Sequence, residues 1–115
     1  SGATWIRVME VKSNMTCSFM MNMICYANQD ASIIVGYVVN YDNKVQICNF
    51  KQLIGKAGEV YNPNLKYKKD GSTIIVWAKS SAINNKASCI NLLHGNASFP
   101  MIIETPPEDA IQPTW

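Results

Sequence analysis

The chain has few charged residues and little of what metal sites and catalytic sites need. Only 16% of its 115 residues are Asp, Glu, Lys or Arg, and His94 is its single histidine. It lacks a C-x-x-C pair, a G-x-S-x-G motif, a glycine-rich phosphate loop and a paired carboxylate motif. These absences argue against a zinc site and against an enzyme. We therefore expect a non-catalytic protein with no metal and no cofactor.

Long hydrophobic runs are also missing. No segment reaches the roughly 20 apolar residues of a membrane-spanning helix, so we expect no membrane insertion. The 48% hydrophobic content and the length of 115 residues suit one domain with a single core. The net charge of +2 permits an anionic partner without requiring one.

Apolar runs with β character fill the chain up to residue 79. Residues 32–40 (SIIVGYVVN) and 73–79 (TIIVWAK) are typical of strands buried on both faces, which makes Trp77 a core residue. Gly36 predicts a bulge or a close backbone approach. Turns are expected at residues 13–14, 41–44 and 68–71. The pattern predicts a small open β-barrel or sandwich of six to seven antiparallel strands, with residues 4–11 as an edge or entry strand.

Helical spacing follows the strands. Residues 82–94 (AINNKASCINLLH) place apolar side chains on one stripe, and Gly95 stands where a helix C-cap belongs. The sequence thus predicts one C-terminal α-helix, whose stripe covers the barrel or forms a homodimer face. Residues 1–104 form the expected domain, and residues 105–115 form a Pro-rich tail that is extended or disordered.

Four cysteines leave the redox state open. Cys17, Cys25, Cys48 and Cys89 allow two disulfides, but most of them lie in apolar runs that suit buried free thiols. Two N-glycosylation triplets, at residues 14–16 and 96–98, keep a secreted protein as an alternative.

A lysine-rich stretch suggests contact with nucleic acid. Residues 66–69 (KYKK) interleave an aromatic ring with lysines, and single-strand binding needs cations for phosphates and aromatic faces for bases. Tyr41, Phe50 and Tyr67 are the stacking candidates. The alternative is that these lysines keep strand edges and turns soluble.

Three stretches resemble the single-stranded RNA-binding subunit of coronavirus-type (nidovirus) replicases, the ninth non-structural protein. Residues 36–50 (GYVVNYDNKVQICNF) resemble the central hairpin of that family, residues 75–79 (IVWAK) its last strand, and residues 84–93 (NNKASCINLL) its C-terminal helix. The resemblance covers roughly residues 5–94. It implies an OB-like β-barrel cut from a replicase polyprotein, which works in the host cytoplasm.

The resemblance also implies partners and residues. The expected partners are single-stranded RNA, other replicase subunits including the polymerase, and a second copy bound through the helix. The helix residues of that dimer interface would be Ile83, Ala87, Ile90 and Asn91. Together with the residue pattern, the resemblance gives these expected RNA-binding residues: Arg7, Tyr41, Lys44, Phe50, Lys51, Lys66, Tyr67, Lys68, Lys69, Lys79 and Lys86.

A function of another class stays open at this point. A secreted or viral surface β-sandwich that binds a protein partner would carry two disulfides and two glycans. The count of free thiols separates this alternative from the replicase subunit.

Overall fold

Alternating apolar residues build β-strands throughout the described part of the chain. The computed structural model describes residues 4–25, 30–42, 44–54, 65–79 and 90–113. Within these ranges no helix is long and apolar enough to cross a membrane. The same ranges hold eight strands: β1 (Trp5–Val11), β2 (Met15–Cys25), β3 (Asp30–Tyr41), β4 (Val45–Ile54), β5 (Leu65–Asp70), β6 (Thr73–Lys79), β7 (Ile90–Gly95) and β8 (Ile102–Ile103).

These strands form two open antiparallel sheets of four strands each. Sheet A has the order β5-β6-β1-β8, and sheet B has the order β4-β3-β2-β7. Strands β7 and β8 return to the sheet edges beside β2 and β1. The prediction of a mainly β, antiparallel and open arrangement is confirmed.

One apolar core joins the inner faces of the two sheets. In it the Phe19 ring packs edge-on against the Phe50 ring at a centroid distance of 5.8 Å, and Phe50 lies 5.3 Å from the ring of Tyr67. Removal of these surfaces from water is the main force that holds the sheets together. The buried core residues are Ile6, Val8, Met9, Val11, Cys17, Phe19, Met21, Ile34, Val38, Phe50, Leu65, Ile74, Val76 and Ala78.

The first strand, β1, changes phase at a bulge. A register shift between Arg7 and Met9 lets Val8 and Met9 both enter the core, while Arg7 stays on the other face. The imperfect alternation of this strand therefore has a structural cause. Because β1 pairs with both β6 and β8, the edge-strand alternative is wrong; β1 is the entry strand, the first of the described strands.

Residues 90–94 are strand, so this part of the predicted helix is wrong. Ile90 pairs with Met21, and Leu92 pairs with Phe19, along the edge of β2. Pairing satisfies the backbone groups of that edge and packs Ile90 against the core, which outweighs the helical spacing of these residues. The rest of the predicted helix, residues 82–89, lies outside the described residues. Gly95, with φ +87°, ends β7, where a Cβ would collide with the backbone oxygen of Thr16.

Gly36 allows a close approach, as its sequence position predicts. A Cβ at this position would lie 2.7 Å from Cζ of Phe19 and 2.7 Å from the backbone oxygen of Asn49. Glycine therefore leaves the space that the Phe19 ring occupies in the core.

The predicted turns lie close to where the chain reverses. Asn14 (φ 66°), Asp42 (φ 49°) and Gly71 (φ 61°) adopt left-handed backbone conformations at these reversals. Strand β5 continues to Asp70, so the last turn is centred on Gly71 and Ser72 rather than on the lysines. Strand β4 continues to Ile54.

The C-terminal strap, residues 104–113, crosses sheet A from one edge to the other. It begins beside β1, where the Glu104 amide donates to the Trp5 carbonyl at 3.0 Å. It ends beside β5, where Ile111 and Tyr67 exchange two backbone hydrogen bonds of 2.7 and 2.9 Å. Pro106 and Pro113 are buried. The Pro-rich segment is thus extended and held against the sheet.

Asn40 is a buried polar tie between the two sheets. Its side-chain amide donates to the carbonyl of Val11 at 2.8 Å and to that of Ser72 at 2.7 Å, both in sheet A or its turn. Its Oδ1 accepts from Nε2 of Gln46 in sheet B at 3.2 Å. Asn40 is fully buried, so each of these bonds satisfies a group that water does not reach.

Replacement of Asn40 by alanine should destabilise the fold. The variant leaves the carbonyls of Val11 and Ser72 without this donor, which should lower the free energy of unfolding by about 1–3 kcal/mol. Urea denaturation measures this loss. The control is Asn49→Ala, whose exposed amide donates one bond of 3.3 Å to the Tyr37 hydroxyl. It should cost less than about 0.5 kcal/mol, and equal losses would contradict the role given to Asn40.

Candidate nucleic-acid interface

Strand register gathers cations and tryptophans on the outer face of sheet A. Arg7 lies opposite Trp77, and Trp77 lies opposite Lys66 on its other side. One step along the face, Trp5 lies opposite Lys79. Side chains alternate between the two faces of a sheet, so these five residues point away from the core.

The Trp5 cluster, formed by Trp5, Lys66 and Lys79, stands at one end of this face. The ammonium groups of Lys66 and Lys79 lie 5.5 and 5.3 Å from the centre of the Trp5 ring. The ring is half-buried, and neither lysine has an ion pair among the described residues. An aromatic surface thus stands beside two positive charges that no carboxylate of the described residues neutralises.

Arg7 and Trp77 hold a carboxylate of the strap. Arg7 donates from Nε to Oε2 of Glu104 at 2.7 Å and from Nη2 to Oε1 at 2.9 Å. The indole Nε1 of Trp77 donates to the same Oε2 at 2.8 Å. Nη1 of Arg7 also lies 3.5 Å from Oε1 of Glu10, and Cζ of Arg7 lies 5.9 Å from the centre of the Trp77 ring. Its charge is therefore shared between two carboxylates. Trp77 is buried beneath it, as its apolar run indicates, but on the outer face of sheet A and not in the core between the sheets.

A second contact binds the strap further along the same face. Nζ of Lys68 lies 3.2 Å from Oδ2 of Asp109. Asp109 is largely exposed, so this pair contributes little stability on its own. Lys68 is thus beside the Trp5 cluster but is partly neutralised.

Two of the predicted stacking rings do not face solvent. Phe50 is only 6% exposed, and its ring packs between Phe19 and Tyr67 in the core. Tyr67 points to the same core, and burial raises the pKa of its phenol. The KYKK pattern is divided by the alternation of β5, which sends Lys66 and Lys68 outward and Tyr67 inward.

Four other predicted residues are not part of the Trp5 cluster. Tyr41 and Lys44 are exposed at the hairpin between β3 and β4, where Lys44 lies 3.5 Å from Asp42. Lys51 is exposed on the outer face of sheet B, and Lys69 is exposed near the end of β5. The structure does not bring these four residues into one site.

The predicted dimer residues are only partly described. Ile90 and Asn91 lie in β7, an edge strand, with Ile90 packed against the core and Asn91 exposed. Ile83, Ala87 and the predicted RNA-binding Lys86 lie outside the described residues.

The described thiols are free. Cys17 is buried and Cys48 half-buried, and both are unpaired. Burial raises the pKa of the Cys48 thiol to about 11, so at neutral pH it is a poor nucleophile. Among the described residues, no group of three or more His, Cys, Asp or Glu side chains is placed to hold a metal.

Trp5 is the member of the site that the sequence did not identify. Its role depends on pairing with Lys79, which is 74 positions later in the chain, and on the neighbouring strand that carries Lys66. The sequence did place Trp5 on one face of β1 by alternation. That position alone could not identify Trp5 as a site residue, because the strand pairing that brings Lys66 and Lys79 beside it is not visible in the sequence.

Glu104 makes stability depend on pH. Hydrogen bonds from Arg7 hold the pKa of the Glu104 carboxyl below its ordinary value of 4.5. Burial acts in the opposite direction, and the hydrogen bond from Trp77 lowers the pKa further. The folded-state pKa is lower than the unfolded one, so the stabilisation is complete above about pH 4.5 and is lost as pH falls through the folded-state pKa.

Wild type should therefore be more stable than Glu104→Gln near neutral pH, and the difference should narrow in acid. Urea denaturation at a series of pH values from neutral downward measures the difference. Glu108→Gln, an exposed residue of the same strap, is the control and should follow wild type. A difference between wild type and Glu104→Gln that stays constant with pH would contradict the role of this carboxyl.

Comparison with known proteins adds no family to these observations. No family model matches the chain, and it shows no match to a curated protein or to a solved structure. The resemblance to the coronavirus-type subunit therefore remains an expectation that rests on the three stretches quoted above.

Proposed function

We propose that this protein is a non-catalytic single-stranded RNA-binding subunit that uses the outer face of sheet A. The observation that carries the proposal is the Trp5 ring with the ammonium groups of Lys66 and Lys79 at 5.5 and 5.3 Å. A base can stack on an indole whatever its sequence, and lysines beside it can meet the flanking phosphates.

The arrangement favours weak and sequence-tolerant binding. One aromatic platform holds one or two bases, and base–aromatic stacking is worth about 1–3 kcal/mol per base. Lys66 and Lys79, which have no ion pair with another described residue, can neutralise few phosphates, so the affinity should fall with salt along a shallow slope. Such a subunit suits a complex in which other proteins supply catalysis.

The sequence resemblance supports a specific setting for this activity. On that basis we propose a viral replication complex in the host cytoplasm, with the polymerase and other replicase subunits as partners. The free thiols of Cys17 and Cys48 accord with a reducing compartment.

Loss of the Trp5 ring should weaken RNA binding. In fluorescence anisotropy with a labelled single-stranded RNA, Trp5→Ala should raise the Kd roughly 5- to 150-fold, which corresponds to the stacking energy of one base. Lys66→Gln and Lys79→Gln should each reduce the salt slope by about 0.7, because each removes one phosphate contact.

Two variants serve as matched controls for this measurement. Trp5→Phe keeps an aromatic face and should bind much closer to wild type than Trp5→Ala does. Lys12→Gln removes an equal charge from an exposed site outside the cluster and should leave the salt slope nearly unchanged. Absence of RNA binding by wild type at low salt would refute the proposal.

A second candidate function, self-association through sheet B, is favoured by an exposed apolar surface. Strands β3 and β4, over residues 33–41 and 45–54, carry a single charged residue, Lys51. A face with so little charge can meet a copy of itself without strong repulsion, and large apolar patches mark interaction sites. The exposed large apolar residues of these two strands are Tyr37, Tyr41, Val45, Ile47, Leu53 and Ile54, each at least 42% exposed.

Charge placed on this surface should prevent self-association. Sedimentation velocity over a wide concentration range should show wild type forming dimers, and Ile47→Lys should remain monomeric because a buried charge is costly. Lys12→Gln should dimerise as wild type does. A wild-type chain that stays monomeric at every concentration would refute the second candidate.

A further inference from the structure

The strap places an acidic segment on a basic face. Residues 104–113 contain Glu104, Glu108 and Asp109 and no basic residue. Two of these acids contact cations of sheet A, Glu104 at Arg7 and Asp109 at Lys68. The strap therefore covers the continuation of the surface on which Trp5, Lys66 and Lys79 stand.

The contacts of Glu104 resemble those of a bound anion more than those of a single ion pair. Three donors converge on one carboxylate, two from the Arg7 guanidinium and one from the Trp77 indole, all between 2.7 and 2.9 Å. A planar guanidinium fork binds phosphate with the same bidentate geometry as carboxylate. The backbone positions of Arg7 and Trp77 are set by the pairing of β1 with β6, where the two residues lie opposite each other.

Arg7 and Trp77 lie next to the Trp5 cluster on the outer face of sheet A. Arg7 follows Trp5 by two residues on the same face of β1, a step of about 7 Å. Lys66 lies opposite Trp77 in the pairing of β5 with β6. An extended chain that stacks on Trp5 would pass directly over Arg7 and Trp77.

We propose that Arg7 and the Trp77 indole form a phosphate-binding site that Glu104 of the strap fills in cis. Resting on the RNA-binding function proposed above, the phosphate is that of the RNA backbone, which replaces the Glu104 carboxylate as RNA extends from Trp5. As long as Glu104 occupies the site, the strap keeps RNA from extending beyond Trp5 and shortens the length of RNA that the protein contacts. The side chain of Glu104 is 35% exposed, so it can leave toward solvent without opening the core.

The first test uses inorganic phosphate and no RNA. The indole N–H of Trp77 is the donor, so its NMR resonance reports occupation of the site. In Glu104→Ala, phosphate at constant ionic strength should move this resonance and saturate, whereas in wild type it should not, because the carboxylate fills the site. A resonance that does not move in Glu104→Ala would overturn the proposal.

The second test uses RNA and a variant that retains the shape of Glu104. In the wild type a phosphate that reaches Arg7 displaces a carboxylate of like charge, so this contact adds little net counterion release. Glu104→Gln removes that charge and should steepen the salt slope of RNA binding by about 0.7, the value for one phosphate contact, or roughly 2.6-fold over a fourfold change in salt. Glu108→Gln makes the same charge change on the same strap and should not steepen the slope. Equal slopes in the two variants would overturn the replacement of Glu104 by RNA.

The two tests separate failure of the site from failure of RNA binding. A saturable Trp77 response to phosphate with no RNA binding by any variant supports the anion site and refutes the RNA-binding function. RNA binding that depends on Trp5, with no Trp77 response to phosphate in Glu104→Ala, refutes the site and leaves the RNA-binding function standing.

Discussion

The rest of this structure depends on strand β1, which supplies core residues from one face and residues of the candidate interface from the other. The strand pairs on both sides within sheet A and sends Ile6, Val8, Met9 and Val11 into the core. The bulge after Arg7 lets both Val8 and Met9 enter that core while Trp5 and Arg7 remain on the outer face. A strand without the bulge would have to expose one of these apolar side chains or bury a charged one. The core and the candidate interface are therefore two faces of one strand.

The second sheet is held to the first by packing and by a polar tie. Apolar packing between the sheets is non-directional and would tolerate some sliding, whereas the Asn40 amide specifies which turn of sheet A lies above which strand of sheet B. On the opposite side of sheet A, the strap adds a layer over Trp77 through Arg7 and Glu104. This layer explains how β6 can carry a nearly continuous apolar run in a sheet whose outer face is partly basic.

Local sequence patterns predicted the strand, the buried ring and the close backbone approach that depend mainly on neighbouring residues. The buried strand β6 has the predicted bounds, Trp77 is buried although on the outer face of sheet A, and Gly36 marks a close approach to Phe19. The interface was predicted only in part, since Lys66 and Lys79 were named as cations without the Trp5 ring between them. Phe50 was named as a stacking residue, but the alternation of β4 turns it into the core. Strand register over long sequence separations decides these placements, and for residues 90–94 pairing with β2 outweighed the helical spacing.

The central claim is that RNA binds the outer face of sheet A at Trp5. The most direct measurement is an NMR titration of the protein with a short single-stranded RNA, with the indole and backbone amide resonances assigned. The account predicts the largest shift at the Trp5 indole, with further shifts along β1, β5 and β6. Shifts confined to β3 and β4 of sheet B, with the Trp5 indole unchanged, would contradict it.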